Sequence, residues 1–473
     1  MRILTTGIIA AMAGAISVAA EPRVIGERLE LLVDDYLIEE IAGDAQLKLQ
    51  RPEAREVVLI TGEPWEGNTC AYYTIFADDR DGAPLFRMYY RGSHWLTDQK
   101  KSAHPEVTCY AESRDGVRWV KPALGIHEFN GSKANNIVWN GVGTHNFTVF
   151  KDRNPDCDPE ARYKAIGRGR SLRPGDKSSK HGLFVFKSRD GIHWKAYQKE
   201  PVIVKGAFDS QNLAFWDAEE RRYREYHRFF NQQRKRDIMT CVSDDFIHWS
   251  DPKPIGYGDA PDEHLYTNAI QPYDRAPHLL IGFPTRYQPE GSRVAPLLMT
   301  SRDRLQFKRW EDPVIPETAP KDRSGNRSNY MTWGMLRLPG KSGEISVYAT
   351  EAYYEGPDSR LRRFVYRNDG FVALSAGARG ATVTTVPLGL SGNASDEVSL
   401  RINRRVGNNG WFRVIILDRE GEAVDGLGEP DIVTAEDESG CRTLVWMHGG
   451  RGLGASVRLR IEMGNADLFS LGG

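Results

Sequence analysis

Cysteine is scarce in this chain: Cys70, Cys109, Cys157, Cys241 and Cys441 are the five in 473 residues, and no two form a CxxC pair. That spacing excludes a zinc ribbon and a disulfide-dense scaffold. Cys70 with Cys109 is the one candidate bridge, and buried free thiols are the alternative reading. Excess charge of either sign is also missing. The 63 Lys and Arg nearly cancel the 64 Asp and Glu, so no bulk field favours nucleic acid or an anionic membrane. Long apolar runs are absent after residue 20, where nothing approaches the ~20 apolar residues of a spanning helix. The first twenty residues are different: Met1-Arg2, an uncharged stretch from Ile3 to Val18, then Ala19-Ala20 before Glu21. They read as a secretory signal peptide, so the mature chain is expected to be exported to the periplasm or beyond.

What the sequence does have is repetition. Ser113-Arg114-Asp115-Gly116-Val117-Arg118-Trp119 returns as Ser188-Arg189-Asp190-Gly191-Ile192-His193-Trp194. Ser243-Asp244-Asp245-Phe246-Ile247-His248-Trp249 and Ser301-Arg302-Asp303-Arg304-Leu305-Gln306-Phe307 are further copies, and Arg367 to Phe371 is a degenerate fifth. Asp-Gly supplies a tight turn and the aromatic anchors the next strand, so the motif is structural and its aspartates are not catalytic. Upstream of each copy lies a pair of short apolar segments, such as 71–76 with 85–91 and 146–150 with 162–168. Several short strands repeated at this period predict a five-bladed β-propeller over residues 21–376, because each small sheet must bury its faces against its neighbours. Beyond it, Val398-Ser399-Leu400-Arg401-Ile402 and Val457-Arg458-Leu459-Arg460-Ile461 alternate apolar and polar. They predict a small β-sandwich over 377–473, making the chain all-β.

In each blade the residues before the first strand and at the end of the second meet at one mouth of the channel, because the two strands form an antiparallel hairpin. Before the first strands stand Glu66 and Asn68, His145 and Asn146, Asp209 and Gln211, Asp262, Glu263, His264 and Tyr266, and Arg327. At the ends of the second strands stand Arg91, Arg168, Arg228, Arg286 and Glu351. Acids, amides, histidines and arginines ringing one funnel predict a functional site. Sugar chemistry needs one carboxyl to protonate the leaving oxygen and one ionised carboxylate to attack or to activate water. Glu263 and Asp209, on adjacent blades, fit those roles.

The blade pattern, with the Ser-Asp-Asp-Phe-Ile-His-Trp turn at 243 to 249, resembles the five-bladed propeller glycosidases of families 32, 43 and 68, and the added sandwich is most like family 32. The resemblance implies a glycoside hydrolase fold and three acids. Asp209, in Phe-Asp-Ser-Gln, stands where the family's transition-state-stabilising Asp would be, and Glu263, in Asp-Glu-His, where its acid would be. The family's nucleophile motif on blade one is absent, and Glu66 in Trp-Glu-Gly-Asn is the stand-in.

The leading expectation is therefore an exported glycosidase with catalytic Glu263, Asp209 and Glu66, the other ring residues binding substrate. The arginines suggest an anionic oligo- or polysaccharide. No metal or other cofactor is expected. Two further readings remain: a non-catalytic glycan-binding propeller, and a uronate polysaccharide lyase with His145 or His264 as base.

Overall fold

The computed structural model describes residues 21–78, 82–170, 181–319, 329–390, 397–448 and 456–472. The expected signal peptide and Arg327 lie outside the described residues. Among the described residues the regular structure is strands and three short 3₁₀ turns, the all-β class read from the sequence.

Four sheets each take four antiparallel strands in chain order. They run Ala71–Ala77 to Ile137–Trp139, Thr148–Lys151 to Lys195–Ala196, Leu213–Asp217 to Lys253–Pro254, and Gln271–Tyr273 to Lys308–Arg309. The fifth is built from both ends of the chain. Residues 331–336 bridge to Glu344–Glu351, which pairs with Arg360–Arg367, and the outer strand is Glu53–Ile60 from the N-terminal side. That strand closes the ring, because it bonds the last blade to chain that precedes the first. The inner strands crowd the axis. Trp333 N donates to Tyr73 O at 2.9 Å, its indole to Ile270 O at 2.8 Å, and Gln211 Nε2 reaches from blade three to Tyr73 O at 3.0 Å.

The repeated turns are one structure made four times. Asp115 Oδ1 accepts from Val117 N and Arg118 N at 2.9 and 2.8 Å. Asp190, Asp245 and Asp303 do the same for the residues two and three ahead, at 2.7 to 2.9 Å. Trp119, Trp194 and Trp249 each donate their indole N–H to the carbonyl three residues back. That third-back residue is left-handed: Gly116 and Gly191 at φ 69 and 79, but Phe246 and Arg304 at φ 69. The Asp cap and the buried ring hold the non-glycine copies in place. Asp245→Ala is expected to destabilise the chain by about 1–2 kcal/mol in chemical denaturation, as loss of a cap does, with ligand binding unchanged.

Most of the other strands form one long sheet in the order Ile38–Leu49, Val372–Thr385, Arg458–Gly472, Glu397–Leu417, Cys441–Met447, Ile432–Val433, with Leu29–Leu31 also pairing to Arg458–Gly472. It folds over a core of Leu374, Leu400, Ile416, Trp446, Ile461 and Leu468, all fully buried. This is the sandwich, and it takes its edge strand from before the first blade. Val372–Thr385 runs through residue 376 and pairs on both sides within this sheet. Every cysteine is free, including the buried candidates Cys70 and Cys109.

Candidate active site

At the mouth formed by the starts of the first strands lies a cavity of about 210 Å³. Seven tyrosines line it, Tyr72, Tyr73, Tyr266, Tyr287, Tyr330, Tyr353 and Tyr354, together with Gln211, Arg236, Thr267 and Thr350. Several backbones around it are strained. Tyr72, Ala352 and Tyr354 sit at φ 56, 58 and 66, left-handed values that bulky residues adopt only when the surroundings impose them.

On one side of this cavity stands a relay of charged groups. His145 Nε2 is 2.7 Å from Asp209 Oδ1, and its Nδ1 is 3.0 Å from both oxygens of Glu106. Arg168 Nη1 lies 3.3 Å from the same Asp209 oxygen, and Arg91 Nη1 lies 3.4 Å from Glu106. The ring of Tyr72 contacts His145 at 5.7 Å and carries the Arg91 guanidinium at 4.8 Å. The hydrogen bond from His145, aided by Arg168 and Arg228, holds the Asp209 carboxyl well below the usual carboxylate range against an opposing push from burial. Burial alone would raise the carboxyl of Glu106, but His145 and Arg91 bring it below its ordinary value. Asp209 is thus a fixed anion, about half exposed, whose Oδ2 has no protein partner among the described residues.

The loop carrying Asp209 is gripped from both sides. Asn146 Nδ2 and Asn212 Nδ2 each donate to the carbonyls of Phe208 and Ser210, the residues flanking it. Asn146 Oδ1 also accepts from Arg168 N at 2.7 Å, so one buried amide sets both the acid and its arginine. Gln211, fully buried, lines the cavity and spans the channel.

The other expected carboxylates stand elsewhere. Glu66 is buried, with Oε1 taking the Tyr90 hydroxyl at 2.5 Å and Oε2 taking Lys121 Nζ at 2.6 Å and Glu63 N at 3.0 Å. Glu263 is held by Arg309 at 2.5 Å and Arg286 at 3.4 Å. Glu351 is buried against Arg362. Asp262 pairs with Lys235 and Asn231 on the surface. None of the four lines the cavity; Asp209 and His145 do not line it either but adjoin it through Gln211 and Tyr72, which do. Asn68 spends its whole amide on backbone: Nδ2 on the Trp95 and Gly356 carbonyls, Oδ1 on Trp95 N. His264 Nδ1 accepts from Arg236 N, and burial with the Arg236 charge lowers its pKa.

Arg228 lies over the Tyr266 ring at 4.9 Å and Arg236 over Tyr287 at 4.8 Å. Arg228 Nη1 and Arg236 Nε are buried and make no hydrogen bond among the described residues. A buried donor without an acceptor carries a desolvation cost, and of the two arginines Arg236 lines the cavity.

The sequence reading named Tyr266 but missed Glu106, Arg236 and most of the other tyrosines. Its hairpin rule carries one connection further: if second strands end at this mouth, third strands begin there. Glu106 precedes Val107–Ser113, and His181 and Arg236 open the third strands of blades two and three.

No protein-family model matches the chain, and no curated protein matches it in sequence. Solved structures align with it at low identity. A thermostable family-43 glycoside hydrolase aligns at 13% identity and TM-score 0.44, over 66% of this chain and 96% of that one. The family-32 β-fructofuranosidase of Bombyx mori aligns at 9% and 0.41, over 90% and 93%. An N-acetylgalactosamine deacetylase from F. plautii, in complex with blood group B trisaccharide, aligns at 10% and 0.41, over 88% and 94%.

Proposed function

We propose that this chain is an exported carbohydrate-active enzyme that cleaves a glycosidic bond in an anionic glycan at the tyrosine-lined mouth of the channel. The observation that carries the reading is Asp209: an anion fixed through one oxygen by His145 and Arg168, with the other oxygen unengaged beside the tyrosine-lined cavity. Oδ2 of Asp209 takes the proton of a water that attacks the anomeric carbon, or attacks that carbon itself, as the bond to the glycosidic oxygen breaks and that oxygen takes a proton from solvent water. His145 and Glu106 act as positioning residues, holding the carboxylate's orientation and charge. Tyrosine faces supply stacking platforms for sugar rings. Arg236 and Arg228 supply the unpaired N–H groups for a carboxylate or sulfate on the substrate.

Those same arginines favour elimination from a uronate as a second reading, since a neutralised carboxylate acidifies the adjacent C–H and Asp209 or a tyrosine then serves as base. A panel of neutral, uronate and sulfated oligosaccharides, read by reducing ends and ultraviolet absorbance, separates the two. Hydrolysis gives reducing ends alone, and elimination adds an absorbing unsaturated product. Anionic members are expected to bind at least about tenfold more tightly than neutral ones, and less so with added salt. Equal binding of neutral sugars sinks the anionic assignment, and binding without turnover makes the propeller a lectin.

A further inference from the structure

We propose that Glu225, His227 and Cys241, inside blade three, form a buried structural site for a divalent metal ion of the zinc class. The strand Arg222–Phe230 places Glu225 and His227 on one face, two residues apart. Cys241 lies directly opposite Glu225 in register on the neighbouring strand, so its side chain joins that face. All three are buried, with exposures of 0%, 0% and 2%. One ligand atom from each lies within 4.8 Å of the others. His227 Nδ1 is 2.6 Å and Cys241 Sγ 3.5 Å from the same oxygen, Glu225 Oε2.

Two further observations point to a ligand. His227 Nε2 is 2.9 Å from the carbonyl of Lys205, which places the ring proton on Nε2 and turns the Nδ1 lone pair into the cluster. This is the outer contact that metal-bound histidines characteristically make. Glu225 Oε1, by contrast, is buried with no hydrogen-bond partner among the described residues. A buried carboxylate oxygen facing nothing is costly, and a cation taken by both oxygens removes that cost. Thiolate, imidazole and a bidentate carboxylate then give four donors of the types that select zinc over calcium or magnesium. Binding releases the thiol proton and the proton shared between Glu225 and His227, so two positive charges replace two protons. The sequence reading, which expected no metal, looked for CxxC spacing and so passed over donors supplied by adjacent strands.

The role is architectural. The His227 ring packs against Phe208 at 5.2 Å, and Phe208 directly precedes Asp209. The site therefore stiffens the strand beneath the catalytic loop without touching substrate.

The test uses the full mature chain, purified without a metal-affinity step. Elemental analysis is expected to find about one zinc per chain, and chelation to lower Tm by at least about 5 °C, restored by zinc. Cobalt in place of zinc is expected to give a sulfur-to-metal charge-transfer band that Cys241→Ser abolishes. If Cys241→Ser fails to fold, the cobalt spectrum of the wild type stands alone. A wild-type chain that carries no metal, takes up neither zinc nor cobalt on refolding, and melts identically with and without chelator overturns the proposal.

Discussion

Asp209→Asn is expected to cut turnover on a responsive glycan by about 10²–10⁴-fold, the range for removing a general base, while leaving the fold intact. The side chain is about half exposed and its partners retain solvent, so its stability contribution is small. His145→Gln removes the hydrogen bond that keeps Asp209 charged. It is expected to lower kcat more than it raises KM and to move the acid limb of the pH–rate profile upward, which a merely structural histidine would not do. Glu263→Gln breaks an ion pair with Arg309 and Arg286 outside the cavity, and is expected to retain turnover within a few fold. Rates of purified variants over a pH series check all three.

Glu30→Ala is expected to be the most destabilising single substitution outside the cores. Glu30 is fully buried and contacts two arginines and a histidine, Arg28 at 2.8 Å, His278 at 3.1 Å and Arg302 at 2.6 Å. It sits on the strand Leu29–Leu31, which pairs with the sandwich strand Arg458–Gly472, while His278 and Arg302 belong to blade four. Removing it strips buried donors on His278 and Arg302 of their acceptor, although Arg302 keeps Asp34, at a cost of about 1–3 kcal/mol. Burial raises the carboxyl, yet His278 and Arg302 outweigh it and bring the pKa down to about 2. The folded-state pKa lies below the unfolded value, so the contribution is fully present above pH ~4.5 and lost as pH falls toward ~2. Thermal melts from pH 7 to 3 are expected to show the wild type keeping its advantage over Glu30→Gln down to pH ~4.5 and losing part of it below. Parallel melts at every pH would contradict the assignment.

The repeat was legible because its signal is local: Ser, Asp and Trp within seven residues fix a turn whose geometry recurs to a tenth of an ångström or two. The ring closure was not, because nothing in Glu53–Ile60 says which strand it joins; its partner Arg360–Arg367 lies some three hundred residues on. The site was half legible. Alternating chain direction placed Asp209, His145, Gln211, Tyr266 and the arginines at one mouth, and the structure brings Asp209 together with His145 and Arg168 there, but the reading stopped at second-strand ends and so missed Glu106 and Arg236. It also treated every acid near that mouth as available. Whether a carboxylate is free depends on cations brought in from other strands, as Lys121 is to Glu66 and Arg309 to Glu263, and sequence spacing carries no record of those encounters.

The measurement that tests the central claim most directly is a crystal structure of the Asp209→Asn variant with an anionic oligosaccharide identified by the panel. The account predicts a sugar seated among Tyr266, Tyr330 and Tyr353, its anionic group on Arg236 or Arg228 and its scissile bond beside residue 209. A sugar found instead at the opposite channel mouth, in the cavity between Trp216 and Trp333, or only on the sandwich, would contradict it.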